Sequence, residues 1–249
     1  LLNRKQKWTA ALLLTTALTV PATTAFFLPQ ADAAGTAPAK TSIQLSEGIS
    51  YYGEVQNNKP NGRGTIHWGE HKQYAGEFKD GKRSGMGKYI NEYVDADGRT
   101  HKIVYNGTWN NDLMNGSGTL TEKRTEANGT VIYHSIQTGT FKNGAFQTGY
   151  YVQHAEADPD YAFTYKNGGE TLYIMGSNQD LLPLWKKGQL FNVIYQKGSI
   201  YKEYWMFPEE DAAKERQRKA SIKYLQGITA KVKPHLEQFE KLSKQVPLK

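Results

Sequence analysis

Among the 249 residues, six histidines are the first candidates for chemistry: His67, His71, His101, His134, His154 and His235. Only His67 and His71, in His67-Trp68-Gly69-Glu70-His71, lie close enough in sequence to suggest shared metal ligation. Two ligands four residues apart meet on one face of a helix. Gly69 and the strand-like sequence on either side place these two between strands instead, so no metal site is expected. Glu156, Asp158 and Asp160 supply three carboxylates, without the spacing or the glycine of a calcium loop. Gly116-Ser117-Gly118 lacks the strand–turn–helix setting of a nucleophile elbow. Asn106-Gly-Thr108, Asn115-Gly-Ser117 and Asn128-Gly-Thr130 fit the glycosylation pattern, but a turn or repeat would require the same residues. The glycines alternate along strands and do not precede helices, so no phosphate-cradling loop is present. The expectation is a protein without catalytic residues, metal or cofactor.

The elements that carry these residues are unevenly composed. Cysteine is absent, which excludes disulfides and thiolate metal sites. From Gly48 to Gly198 lie 22 of the 24 glycines, and 15 of the 16 tyrosines fall between Tyr51 and Tyr204. The formal charge of +7 is also uneven. Residues 34–207 carry 18 basic and 17 acidic side chains, whereas residues 208–249 carry 10 and 6. A repeat region so close to neutral is not expected to bind nucleic acid.

The first residues contain Arg4, Lys5 and Lys7, then an uncharged run from Trp8 to Leu28 and the small-residue site Ala31-Asp32-Ala33. This order predicts a signal peptide over residues 1–33, cleaved near Ala33/Ala34, and a secreted or extracytoplasmic protein. An uncleaved membrane anchor is the alternative, opposed by the threonines, Pro21 and Pro29. Residues 34–47 are expected to be a linker.

Residues 48–207 read as a repeat array. The clearest unit is Tyr74-x-Gly76-x-Phe78, then Gly81, Gly85, Gly87 and Tyr89. The same frame holds Tyr51, Gly53, Val55, Gly62, Gly64 and Ile66, with Asn58 at the turn. It recurs as Tyr105, Gly107, Trp109, Gly116, Gly118 and Leu120, with Asp112 at the turn. Degenerate copies follow at 137–150, through Gly139, Phe141 and Gly144, and at 161–168, through Tyr161, Tyr165 and Gly168. Turn fragments persist at Trp185–Gly188 and Tyr195–Gly198. Tyr74, Gly76 and Phe78 alternate on one strand face, and Lys79-Asp80-Gly81 predicts a tight hairpin turn. Gly85 and Gly87 lie at alternate positions of the return strand, a place for glycine only where another group approaches closely. Rings from an adjacent hairpin are the expected groups.

This frame resembles the MORN (membrane occupation and recognition nexus) repeat. The resemblance implies a mainly β fold: an elongated single antiparallel sheet of stacked hairpins. It also implies roles in protein association and, in some members, contact with anionic lipid. Repeat starts at 51, 74, 105, 137 and 161 are spaced 23, 31, 32 and 24 residues apart. The extra length surrounds Asp97-Gly98 and Asn128-Gly129, predicting two lengthened hairpins, with disordered loops as the alternative.

In residues 208–249, Pro208 and three acids suggest a helix start, and Leu225, Ile228, Val232, Phe239, Leu242 and Val246 recur at helical spacing. Pro234 is expected to split this amphipathic segment near Lys233. The segment either caps the sheet or binds a membrane surface or partner. Tyr74, Phe78, Tyr105, Trp109, Tyr165 and Trp185 are the candidate exposed binding aromatics. The resulting expectation is a non-enzymatic binding or scaffolding module for an unknown protein partner or an anionic membrane surface. Two alternatives remain: a cell-wall carbohydrate module using the aromatic rows, and an enzyme domain within 145–207.

Overall fold

The computed structural model describes residues 39–248; the expected signal peptide and most of the expected linker lie outside them. Thirteen strands form one antiparallel sheet in strict sequence order. They are β1 (Lys40–Ser46), β2 (Ile49–Gln56), β3 (Lys59–Trp68), β4 (Lys72–Lys79), β5 (Lys82–Val94), β6 (Thr100–Asn110), β7 (Leu113–Thr125), β8 (Val131–Lys142), β9 (Ala145–Ala155), β10 (Tyr161–Asn167), β11 (Glu170–Gly176), β12 (Asn192–Lys197) and β13 (Ile200–Trp205). Helix α1 (Leu181–Lys187) interrupts the strands, and α2 (Ala212–Gly227) and α3 (Thr229–Ser243) follow them.

The repeat hairpins close through consecutive left-handed residues, Asn57-Asn58, Asp80-Gly81, Asn111-Asp112 and Asn143-Gly144. This is the geometry that suits the right-handed twist of the flanking strands. The last three of these turns also tie to the hairpin before them. The N–H groups of Gly81, Asp112 and Gly144 donate to the carbonyls of Pro60, Arg83 and Met114, at 2.8, 3.1 and 2.9 Å.

Strand pairing aligns eight glycines in one row across β2–β9: Gly53, Gly64, Gly76, Gly87, Gly107, Gly118, Gly139 and Gly149. A side chain on Gly87 would collide with the ring and hydroxyl of Tyr74. The covering ring therefore comes from the glycine's own hairpin, two residues before Gly76, and not from the adjacent one. Tyr51 covers Gly64 in the same way, and Tyr105 covers Gly118. Laid along the strand, each tyrosine hydroxyl donates to the carbonyl three residues on: Glu54 at 2.7 Å, Glu77 at 2.9 Å and Thr108 at 3.1 Å. Gly85 differs from its expected role. It lies in a bulge where Gly76 pairs with Gly87 but Glu77 pairs with Ser84, and its φ of 59° is the reason for glycine. Gly62 and Gly116 occupy the matching places in their hairpins.

The rings join edge to face in a continuous series: Tyr51, Phe78, Tyr74, Trp109, Tyr105, Phe141 and Phe146. Each contact contributes ~0.5–1.5 kcal/mol beyond area burial. They form the core of the first half of the sheet, on what is here termed the ring face.

The core of the second half lies on the opposite face. A row through paired residues begins Gln44, Ser50, His67, Gln73 and ends Ile136, Val152, Phe163, Ile174, Val193, Tyr204. Its apolar end is covered by Leu225 of α2, by Val232, Leu236, Phe239 and Leu242 of α3, by Val246 and by α1. On the ring face the neighbouring row runs the other way, from Tyr51, Ile66 and Tyr74 to Tyr151, Thr164 and Tyr173. The tail thus caps the sheet, and its apolar stripe is used internally.

Both longer repeats contain paired strands: β5–β6 pairing continues to Val94 opposite Thr100, and β7–β8 pairing to Thr125 opposite Val131. Four expectations need correction. Residues 40–46 of the expected linker are an edge strand, anchored by Ile43 opposite Tyr51. Trp185–Gly188 is the end of α1 and not a hairpin turn: Leu181 and Trp185 recur at helical spacing and are buried, while Gly188 terminates the helix. The last helix pair begins with Asp211, whose carboxylate accepts from Ala213 and Lys214 N–H, leaving Pro208 outside. The break between helices falls at Gly227–Ile228, and Pro234 lies within α3. There it removes one intrahelical bond early in the helix, while Val232, Leu236 and Phe239 hold the segment on the sheet.

Candidate ligand-binding site

The aromatic residues expected at an exposed binding surface are mostly in the core. Tyr74, Phe78, Tyr105, Trp109 and Trp185 are buried, and Tyr165 is half-buried against His235, with ring centroids 3.9 Å apart. Five of the six are spent in the two hydrophobic cores, so the expectation of exposure is corrected. Burial also raises the Tyr74 and Tyr105 phenols above their ordinary range. His67, Glu70 and His71 are exposed around the β3–β4 turn. The glycines sort by position: Gly53, Gly64, Gly76, Gly87, Gly107, Gly118 and Gly139 in the glycine row, Gly62, Gly85 and Gly116 in bulges, and Gly81 and Gly144 in turns.

Residues 145–207 continue the common sheet as β9–β13 with α1, and do not form a separate domain. At the tips of the lengthened hairpins, His101 lies 2.8 Å from Asp95 and 3.5 Å from Glu122. Arg124 also pairs with Glu122 at 2.7 Å, and Arg99 with Glu126 at 2.9 Å. The hydrogen bond from His101 holds the Asp95 carboxyl below its usual range. This network joins two neighbouring hairpins, with its carboxylates engaged by bases.

A different cluster departs from the repeat. The residue paired with the apolar side chain that follows the row glycine is Pro60 in β3, Arg83 in β5, Met114 in β7 and Phe146 in β9. Only Arg83 is charged. Its guanidinium lies over four rings, 4.4 Å from the centroid of Trp109, 5.6 Å from Tyr89 and 5.8 Å from both Tyr74 and Trp68. Asp112 fixes it from the next turn: Arg83 Nε donates to Oδ1 at 3.0 Å and Nη2 to the Asp112 carbonyl at 2.8 Å. Lys72 places its ammonium 5.2 Å from the Trp68 centroid. Trp68, Lys72, Phe78, Arg83, Tyr89 and Asp112 are among the residues that line a cavity of about 470 Å³ on the ring face. Burial raises the Tyr89 phenol, with Arg83 opposing the shift. Sequence reasoning passed over Arg83, although its place two residues after the Asp80-Gly81 turn could be compared directly with Pro60, Met114 and Phe146.

Among the described residues, no helix lies over the opposite face of the first half. It presents Tyr52 and Met86, both more than half exposed, among Lys40, Arg63, Thr65 and Glu77. A further shallow groove runs past Asn106, Ser117, Thr119 and Thr138. Among the described residues, no helix is long and apolar enough to cross a membrane.

Comparison with known proteins agrees with this geometry. The family model described as the MORN repeat matches residues 51–71, 74–91 and 105–121, the segments that contain the tyrosine–glycine contacts. The chain is similar to MORN repeat-containing protein 3 of Xenopus laevis, at 39% identity over 79 residues. That alignment covers 31% of this chain and 32% of the relative. Residues 51–121 therefore hold three MORN repeats.

Proposed function

We propose that the protein is an exported, non-enzymatic binding module that holds a protein partner on the uncovered face of β2–β7. The supporting observation is the contrast along that face. Helices bury it over β8–β13, whereas Tyr52, Met86, Arg63 and Lys88 stay open over the repeats, with Glu77 half-buried among them. Adjacent exposed apolar and charged side chains on a broad sheet suit a macromolecular surface better than an enclosed substrate. Export rests on the residues ahead of Ala34, and the burial of most of the aromatic rows favours a protein partner over a carbohydrate.

A second reading has support of its own. Lys214, Arg216, Lys219 and Lys223 of α2 are exposed, so an anionic membrane would meet charge here and not the tail's apolar stripe. The test is a cross-linking amino acid placed at Met86, compared with one at Lys214, with the protein on washed cells and on anionic vesicles. A discrete cross-linked protein from Met86 alone supports the first reading. Vesicle binding that falls steeply with salt, with cross-links from Lys214, supports the second. Retention at neither position removes both.

A further inference from the structure

The Arg83 cavity carries an inference independent of the surface proposed above, since it opens on the opposite, ring face of the sheet. Repeat packing has no need of a cation at this place, because Met114 and Phe146 fill the same position in later hairpins. Bringing a guanidinium among rings costs desolvation energy that methionine avoids. Asp112 satisfies only part of the group. It engages Nε and Nη2, and among the described residues no acceptor engages Nη1 or the Lys72 ammonium.

Both cations lie within 6 Å of one indole centroid, that of Trp68. They share a cavity whose volume is in the range of small-ligand sites and whose walls include Ile66, Phe78, Tyr89 and Asp112, the last with its carboxylate engaged by Arg83 Nε. With Asp112 so paired, Arg83, Lys72 and Asp112 together carry one excess positive charge, which a neutral ligand would leave unmatched. An oxyanion would accept charge-assisted hydrogen bonds from both cations, strengthened where the rings keep water away. We propose that this cavity binds a small ligand bearing a carboxylate or phosphate, the oxyanion held by Arg83 Nη1 and Lys72 and the rest of the ligand against Trp68 and Tyr89.

The test titrates the full chain at low salt with inorganic phosphate, glycerol 3-phosphate, glucuronate and, as a neutral control, glucose. The readout is the Trp68 indole N–H resonance, assigned with W68F. At least one oxyanion is expected to give a saturable shift and glucose none; the preferred oxyanion distinguishes phosphate from carboxylate ligands. R83M copies the residue of the next hairpin and is expected to keep the fold while weakening binding by about tenfold or more. K72Q changes a side chain whose ammonium has no protein acceptor among the described residues and is expected to weaken binding several-fold. If R83M does not fold, K72Q decides. Absence of a saturable shift with every oxyanion, an equal response to glucose, or undiminished binding by K72Q overturns the proposal.

Discussion

The two halves of this sheet share one topology but bury opposite faces. From β2 to β7, the core consists of rings laid over glycines of their own hairpins, and each hairpin supplies its own cover. From β9 to β13, Val152, Phe163, Ile174 and Val193 point to the other side and depend on α1, α2 and α3 for cover. The exchange occurs at β8, where Ile136 belongs to the helix-covered core and Phe141 to the ring core. The fourth repeat shows why: Gln137 replaces the tyrosine, so no ring covers Gly139 and Gly149. Once the tyrosine is lost, the ring face loses its cover, and the chain needs helices to bury the other.

The largest test of this contrast is deletion of residues 208–249. Hydrogen-exchange protection is expected to be lost at Val193 and Ile174 and retained at Tyr74 and Tyr105. Simultaneous loss in both regions would show that the cores are one cooperative unit. Gly87→Val is next, with an expected loss of about 3 kcal/mol from overpacking against Tyr74, measured by denaturant unfolding. An unchanged midpoint would overturn the ring-over-glycine contact. Tyr105→Phe should cost ~1 kcal/mol, because it removes the bond to the Thr108 carbonyl and keeps the ring.

The smallest expected effect is a pH dependence confined to the second half. Burial lowers the pKa values of His134 and His235 from the ordinary 6.5. His134 contacts the Pro247 carbonyl at 3.1 Å, and His235 contacts the Tyr150 hydroxyl at 2.9 Å. The unfolded chain binds protons first as pH falls below about 6.5, so stability is full above that value and declines below it towards the folded pKa values. Exchange at Phe239 should rise on acidification, while Tyr74 is unaffected by these histidines. Equal acid sensitivity at the two sites would remove the assignment.

Most of the first half was legible because its packing is local. Tyr74, Gly76 and Gly87 belong to one hairpin, so a short frame contains both parts of the contact. Even there, alternation placed the residues on one face without identifying whose ring covered Gly87; the Tyr74 side chain lies along its own strand. The second half was less legible because its contacts are distant. Phe163 meets Phe239 across 76 positions, with ring centroids 5.2 Å apart, and nothing near either residue announces the other. Trp185-Lys-Lys-Gly188 has the form of a turn fragment, and burial of Leu181 and Trp185 makes it a helix.

The sequence by itself determined the hairpins, their turns and the lengthened pairs, since these follow from alternation and left-handed turn residues within a few positions. It also contained the helical stripe of the tail. Tertiary structure alone decided that the stripe is spent on the sheet, that the buried face changes at β8, and that the aromatic rows belong to the core. It also placed Arg83 and Lys72 beside one tryptophan. Each of these depends on which surfaces lose water together, a property of the folded chain that local spacing does not carry.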